Sequence, residues 1–506
     1  MSSFQSLMQG FAVALTPLNL LLAFSGCMVG TMVGVLPGIG PITGVAILVP
    51  LTFAMKLPPE SALILLAGIY YGAMYGGSTT SILLNVPGET ASVVTTLDGY
   101  QMAKQGRAGP ALAIAAIGSF MAGTLSVVGL MFFGPILAKM AIRFGPAEYL
   151  ALMVFAFSMI SSLAGRNLAK ALIATMIGLM CATVGLDPGS AVPRYTFGQM
   201  KLYDGMDFLV VAIGLFAISE VLVLLEETHT GQSVSATVGK VFISIKEFFF
   251  ALGSIIRGSL LGFFIGVLPG AGASTASFIS YTMEKRISNK DDTFGKGDIR
   301  GVAGPESANN AAAGGALIPL ITLGVPGSGT TAILLGALLG MNIVPGPLMF
   351  QNHPNVVWGL VASMYIGNVM LLILNLPLVG LFVKILLVPR WILIPLVTAL
   401  SFIGVYSVNN SPFDILLMSG FGVVGYLMRK MDYPLAPVIL GLVLGELMEK
   451  NLRRAMSISG GDWSYLFSST ICITLWILAV ISLFAPVIFT KLGELKKQAV
   501  AGDEEI

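Results

Sequence analysis

Two carboxylates and a set of neutral oxygens crowd around glycine–proline strings in this chain. "YGGSTTSILLNVPGET" (75–90) carries Ser78, Thr79, Thr80, Ser81, Asn85, Glu89 and Thr90. "GPESANNAAAGGALIPLITLGVPGSGTT" (304–331) carries Glu306, Asn309, Asn310, Ser328, Thr330 and Thr331. Hydroxyls, amide oxygens and open backbone carbonyls suit a hard cation such as Na⁺. Glycine and proline open helix ends, whose free amides and partial positive charge suit a carboxylate. The chemistry expected is reversible binding of a cation and an anion. Small and hydroxyl residues also let helices pack closely, and that reading stands beside the binding one.

Catalytic sets are missing. "GVPGSGTT" (324–331) has Gly324, Gly329 and Thr331 of a phosphate-binding loop, but Thr330 stands where the lysine belongs. "GIGPIT" and "GAGAST" lack the third glycine of a dinucleotide fingerprint. His229 and His353 are the two histidines, and both fall in loops, so zinc, haem and Ser–His or Cys–His chemistry have no basis. No cofactor is expected beyond Na⁺ as coupling ion.

The elements that must position these groups are membrane helices. Of 506 residues 56% are hydrophobic and 10% charged, against about 25% charged in soluble domains. Apolar runs long enough to span a bilayer recur about ten to twelve times, among them Ala111 to Ile136, Phe208 to Leu225, Phe248 to Leu268 and Val356 to Leu387, the last interrupted by Pro377. The fold expected is an all-α polytopic membrane protein. A net charge of +2, spread over short loops, gives no reason to expect nucleic acid. The loop holding Lys285, Arg286, Lys290, Lys296 and Arg300 reads as cytoplasmic. The N-terminus lacks a basic region and reads as a first membrane segment. Cys27, Cys181 and Cys472 lie in apolar stretches and read as small core residues.

The breaks repeat. "GVLPGIG" (34–40) returns as "GVLPGAG" (266–272), 232 positions on, and "NVPGE" (85–89) returns as "GVPGS" (324–328), 239 positions on. Ser119, Gly123 and Lys139 have later counterparts in Ser363, Gly367 and Lys384. Kept order with drifting offset marks a duplicated unit. The division expected is a first membrane repeat over 1–226, a connecting loop over 227–247, a second repeat over 248–456, and a final span with a polar tail over 457–506. Breaks at Pro37, Pro87, Pro269 and Pro326 then fall at matched depth. Unpaired backbone inside a bilayer is tolerated only in protein or against a wet cavity, and matched breaks in two halves point to a transporter's binding site. The repeats are expected to be inverted, with broken helices or re-entrant hairpins.

"GVLPGIGPITGVAILVPLTF", "YGGSTTSILLNVPGETASVVTTLDGYQMAKQGRAG" and "GVAGPESANNAAAGGALIPLITLGVPGSGTTAILLGAL" resemble the large membrane subunit of tripartite tricarboxylate transporters, the TctA family. The likeness runs over nearly the whole chain. It implies a multi-pass protein of the bacterial inner membrane that imports carboxylates such as citrate. It also implies two partners, a small membrane subunit of about four helices and a periplasmic solute-binding protein. Elevator-type motion of inverted repeats is likewise implied by the resemblance.

The substrate is expected at Gly38, Gly40, Thr43, Asn85, Pro87, Gly88, Gly270, Gly272, Ser274, Thr275, Asn310, Gly327 and Ser328. The coupling ion is expected at Ser81, Asn85, Glu89, Thr90, Glu306, Asn309, Asn310, Thr330 and Thr331, with Na⁺ ahead of a proton carried by Glu89 or Glu306. A channel would need filter rings from several subunits, which an internally duplicated chain does not suggest. An intramembrane enzyme is disfavoured by the missing catalytic set.

Overall fold

The computed structural model describes residues 3–36, 38–163, 167–226, 239–288, 293–384 and 390–484. Pro37, Lys290, His229 and the polar tail therefore lie outside the described residues. Helices dominate. Among the described residues, six are long and apolar enough to cross a membrane: Pro17–Val35, Ala108–Ala141, Phe208–Glu226, Ile245–Val267, Pro354–Asn375 and Trp391–Asn409. Shorter apolar helices are Gly40–Ala54, Pro146–Met159, Leu168–Ala182, Gly329–Gly340 and Thr470–Phe484. A polytopic all-α membrane fold follows. Strand is confined, among the described residues, to a two-residue pair, Gly185–Leu186 against Pro193–Arg194.

The chain forms two compact units, each drawing on both halves of the sequence. One comprises Met1–Ile142 with Asp207–Lys430, the other Arg143–Met206 with Met431–Ile506. Sequence repeats mark what was duplicated, whereas compact units mark what packs together.

Within the first unit the repeat is visible as a packing pattern. Pro17–Val35 lies against Pro59–Leu84, with Gly30 and Gly34 against the backbone of Ile69 and Ala73. Ile245–Val267 lies against Arg300–Gly315, with Gly262 and Gly266 against the backbone of Ala308 and Ala312. An added Cβ at any of the four would fall on a carbonyl oxygen. Small residues four apart let two membrane helices approach to backbone contact. Here the packing reading of the small residues holds.

Some spans differ from expectation. The run from Val356 ends as a helix at Asn375 and resumes only as Val379–Val383. Pro377 lacks the N–H that would continue the ladder, and its ring clashes one turn back, so the chain breaks instead of bending. The last span starts at Thr470, because Trp463–Phe467 forms a 3₁₀ turn. Phe208–Glu226 contains a π-helical turn, Gly214–Ile218, that no pattern in the sequence announces.

The second unit packs Leu168–Ala182 on Ala436–Ile458, again through glycine: Gly178 faces Val438 and Gly441. Its strand pair is pinned by ions. Arg194 binds Glu449 at 2.9 Å, and Arg453 binds Asp187 at 2.6 Å. Backbone N–H groups of Ser190 and Gly189, together with Arg453, hold the Asp187 carboxyl down at about 2.

Candidate functional site

The first break of each repeat has one conformation. Leu36 and Leu268 end their helices in extended backbone. Gly38 and Gly270 follow at φ 88° and 79°, then Gly40 and Gly272 at 61° and 65°. Left-handed values of this kind favour glycine. At Gly40 and Gly272 no atom lies where a Cβ would go, so conformation alone asks for glycine there. The next helices, Gly40–Ala54 and Gly272–Ser288, bury Thr43 and half-bury Ser274 and Thr275. Gly40–Ala54 starts without a side-chain cap, and Pro41 in its first turn has no N–H that needs one.

The second breaks match as well. Asn85 and Gly324 end their helices in the left-handed conformation, at φ 58° and 69°. Asn85 is exposed and Pro87 half-buried. Gly88 packs on the Gly34 carbonyl and Gly77 Cα; Gly327 packs on the Gly266 carbonyl and Ala316 Cα. Each second break therefore rests beside the first break of its own repeat, and Gly270 N–H donates to the Gly327 carbonyl at 3.1 Å.

Bonds between repeats join three of the breaks, and the first break of the first repeat reaches them through Gly34, on which Gly88 packs. Thr90 Oγ1 and Ser274 Oγ lie 2.7 Å apart. Asn309 Nδ2 donates to Glu89 Oε1 at 2.9 Å. Tyr70 and Ser328 hydroxyls lie 3.4 Å apart. Thr95 Oγ1 donates to Glu306 Oε1 at 2.5 Å, and Asn310 Nδ2 donates to Ser119 Oγ at 2.7 Å. Glu89, Glu306, Asn309 and Asn310 are buried. Among the described residues no lysine or arginine pairs with either carboxylate.

Other expected donors have local duties. Ser328 and Thr331 form a capping box for Gly329–Gly340. Ser81 Oγ lies 3.0 Å from the Gly77 carbonyl and 2.9 Å from Ser92 Oγ, inside the turn that follows Glu89. Ser78 and Thr80 bond back to their own helix. Thr330 is buried.

Several neighbours escaped the sequence reading. Tyr70, Ser119 and Thr95 complete the crossed bonds. Tyr75 donates to Asn368 Oδ1 at 2.5 Å. Glu220 stands against the first break, since a Cβ on Gly38 would come within 2.9 Å of its Oε1, and it pairs with Arg429. The strings around the breaks hold no cation, and Glu220 links Arg429 to the first break. Asp98, fully buried, accepts N–H bonds from Gly295, Gly297 and Asp298 at 2.8–2.9 Å and the Tyr281 hydroxyl at 2.9 Å. The 239-residue offset, applied to every polar residue, pairs Tyr70 with Asn309, and Ser119 carries the repeat match to Ser363.

The model of the tripartite tricarboxylate transporter TctA family matches residues 20–440. A protein of Agrobacterium vitis, described as an uncharacterized 52.8 kDa protein in the TAR-I ttuC′ 3′ region, is 47% identical over 462 residues, covering 91% of this chain and 92% of that one. Another from the same organism, described as an uncharacterized protein in the TAR-II ttuC′ 3′ region, is 48% identical over 214 residues, 42% of this chain and 88% of that one. No solved structure matches. The family match spans all four breaks and the helices that join them, and the chain belongs to the tripartite tricarboxylate transporter TctA family, as a multi-pass membrane subunit of such a transporter.

Proposed function

We propose that this chain moves carboxylates, citrate or related organic acids, across the bacterial inner membrane, driven by a cation gradient. Na⁺ is the coupling ion of the proposal. A periplasmic binding protein delivers the solute, and a small membrane subunit completes the complex. The two repeats, divided at the 227–247 loop, are taken as inverted about an axis in the membrane plane.

One observation carries this reading: the helix breaks match between the repeats, each second break packs on the first break of its own repeat, and crossed bonds tie both second breaks to the other repeat. A multivalent carboxylate entering a low-dielectric site faces a large desolvation penalty. One helix terminus supplies about half a charge, too little for a di- or trianion. Two termini with bound Na⁺ come close to balance. The glycines at 38, 40, 88, 270, 272 and 327 let backbone approach the substrate.

The test is uptake into proteoliposomes holding the chain and its small partner, with binding protein outside and an inward Na⁺ gradient at equal pH. Uptake should need both the gradient and the binding protein. Uptake that follows a pH gradient and ignores Na⁺ would refute the coupling ion. Full-rate uptake without binding protein would refute the delivery step.

A further inference from the structure

The Arg300–Gly315 helix carries more buried acceptors than donors. Glu306 Oε1 accepts from Thr95, while Glu306 Oε2 has no hydrogen-bond partner. Asn309 gives its amide N–H to Glu89, and Asn310 gives its own to Ser119 and to the Glu306 carbonyl. Those acceptors fix which end of each amide is oxygen. Oδ1 of Asn309 and Oδ1 of Asn310 are then buried without a donor. Residues three and four apart share a helix face, so both asparagines lie on the helix face that carries Glu306.

A buried carboxylate that meets only neutral donors, from Thr95 and Asn309, on the helix face that also carries two bare amide oxygens, is short of positive charge. A proton on Glu306 satisfies Oε2 and one amide oxygen and leaves the other bare. A hard monovalent metal ion can take all three, because carboxylate and carbonyl oxygens are the donors such ions prefer.

The first repeat offers no counterpart. At the 239-residue offset Glu306, Asn309 and Asn310 correspond to Ala67, Tyr70 and Tyr71. These supply no carboxylate and no amide oxygen, and a phenol carries its own proton. We infer that a single Na⁺ binds on the second repeat's side alone, held by Glu306 Oε2, Asn309 Oδ1 and Asn310 Oδ1. Asn309 is bifunctional in this arrangement. One end of its amide faces the ion and the other holds Glu89 at the first repeat's second break, so ion binding fixes the amide on which that break leans. This inference rests on the Na⁺-coupled reading above and adds the site and its count.

The experiment is equilibrium binding of radioactive Na⁺ to the purified full-length chain in nanodiscs, in choline buffer at fixed pH, with Na⁺-dependent thermal stabilisation as a second readout. Wild type should bind one Na⁺ per chain. Glu306→Gln and Asn310→Ala should each weaken binding at least tenfold, while Tyr71→Phe keeps it. A melting transition in Na⁺-free buffer identifies any variant that fails to fold, and the other then decides. Two ions per chain, or undiminished binding in the folded Glu306→Gln and Asn310→Ala proteins, would overturn the site and leave Na⁺ coupling standing. No Na⁺ binding to wild type, with uptake that follows pH, would overturn both.

Discussion

Asn309 and Glu89 stand 220 residues apart and are joined by a 2.9 Å hydrogen bond from amide to carboxylate. Shifted by the repeat offset, the same pair becomes Tyr70 and Ser328, whose hydroxyls lie 3.4 Å apart. Each repeat's helix thus reaches the second break of the other repeat. Two crossed contacts at equivalent positions give the region a pseudo-symmetric frame, and the differing residue types make its two sides chemically unequal.

Asn309→Ala should loosen this frame. The change removes the donor to Glu89 and leaves a buried carboxylate oxygen bare, a loss of about 1–3 kcal/mol. We predict a lower melting temperature of the purified chain and at least a tenfold loss of uptake. Unchanged melting and unchanged uptake would mean that the contact is incidental.

Gly88→Ala and Gly327→Ala test the breaks. A Cβ at Gly88 would strike the Gly34 carbonyl, and one at Gly327 would come within 2.8 Å of Ala316 Cα and 2.9 Å of the Gly266 carbonyl. Overpacking of this kind destabilises by about 1–3 kcal/mol. Both variants should insert in the membrane yet melt earlier and transport poorly. Normal transport by both would place the site elsewhere.

Much of this frame was legible in the sequence, and the reasons differ by residue. Leu36, Gly38 and Gly40 share with Leu268, Gly270 and Gly272 a local conformation that glycine spacing dictates, so reading them needed no tertiary information. Glu89, Glu306, Asn309 and Asn310 stood out because polar groups are rare in apolar surroundings. Their partners did not. Tyr70 and Ser119 look like ordinary residues of apolar helices, Thr95 opens the short polar helix Thr95–Lys104, and only helix packing brings them to the site. Glu220 and Arg429 sit outside every motif and meet at Gly38 because two distant helices converge. The division into compact units was equally hidden, since nothing local tells which helices of a repeat pack together.

Asp98→Asn should free the chain that wraps it. Asp98 accepts three backbone N–H bonds, from Gly295, Gly297 and Asp298, and bonds to a charged acceptor are worth about 1.5–3 kcal/mol each. We predict faster amide hydrogen exchange at these three residues, with little change at Gly189 and Ser190 in the other unit. Equal exchange in wild type and variant would count against Asp98 as the anchor.

Acid should release the Gly185–Arg194 strand pair. Asp187 is held at about 2 by Ser190 and Gly189 amides with Arg453, below the ordinary carboxylate value near 3.9. A lowered folded-state value contributes stability above the unfolded value, and that contribution fades as pH falls from about 4 toward 2. Amide exchange at Gly189 and Ser190, corrected for intrinsic rate, should accelerate over that window, and Asp187→Asn should abolish the acceleration. A flat profile in wild type would contradict this.

The central claim is that the four breaks form one carboxylate site, and cysteine protection tests it most directly. In a chain whose Cys27, Cys181 and Cys472 are replaced by alanine, Thr90→Cys and Ser274→Cys place thiols at two breaks from different repeats, and Ser464→Cys places a control in the exposed loop of the other unit. Maleimide labelling is followed with and without saturating citrate, succinate or tartrate. The same acid should slow labelling at both breaks at least tenfold and leave Ser464→Cys unaffected. Labelling at Thr90→Cys and Ser274→Cys that no acid slows, or that different acids slow separately, would contradict a single shared site.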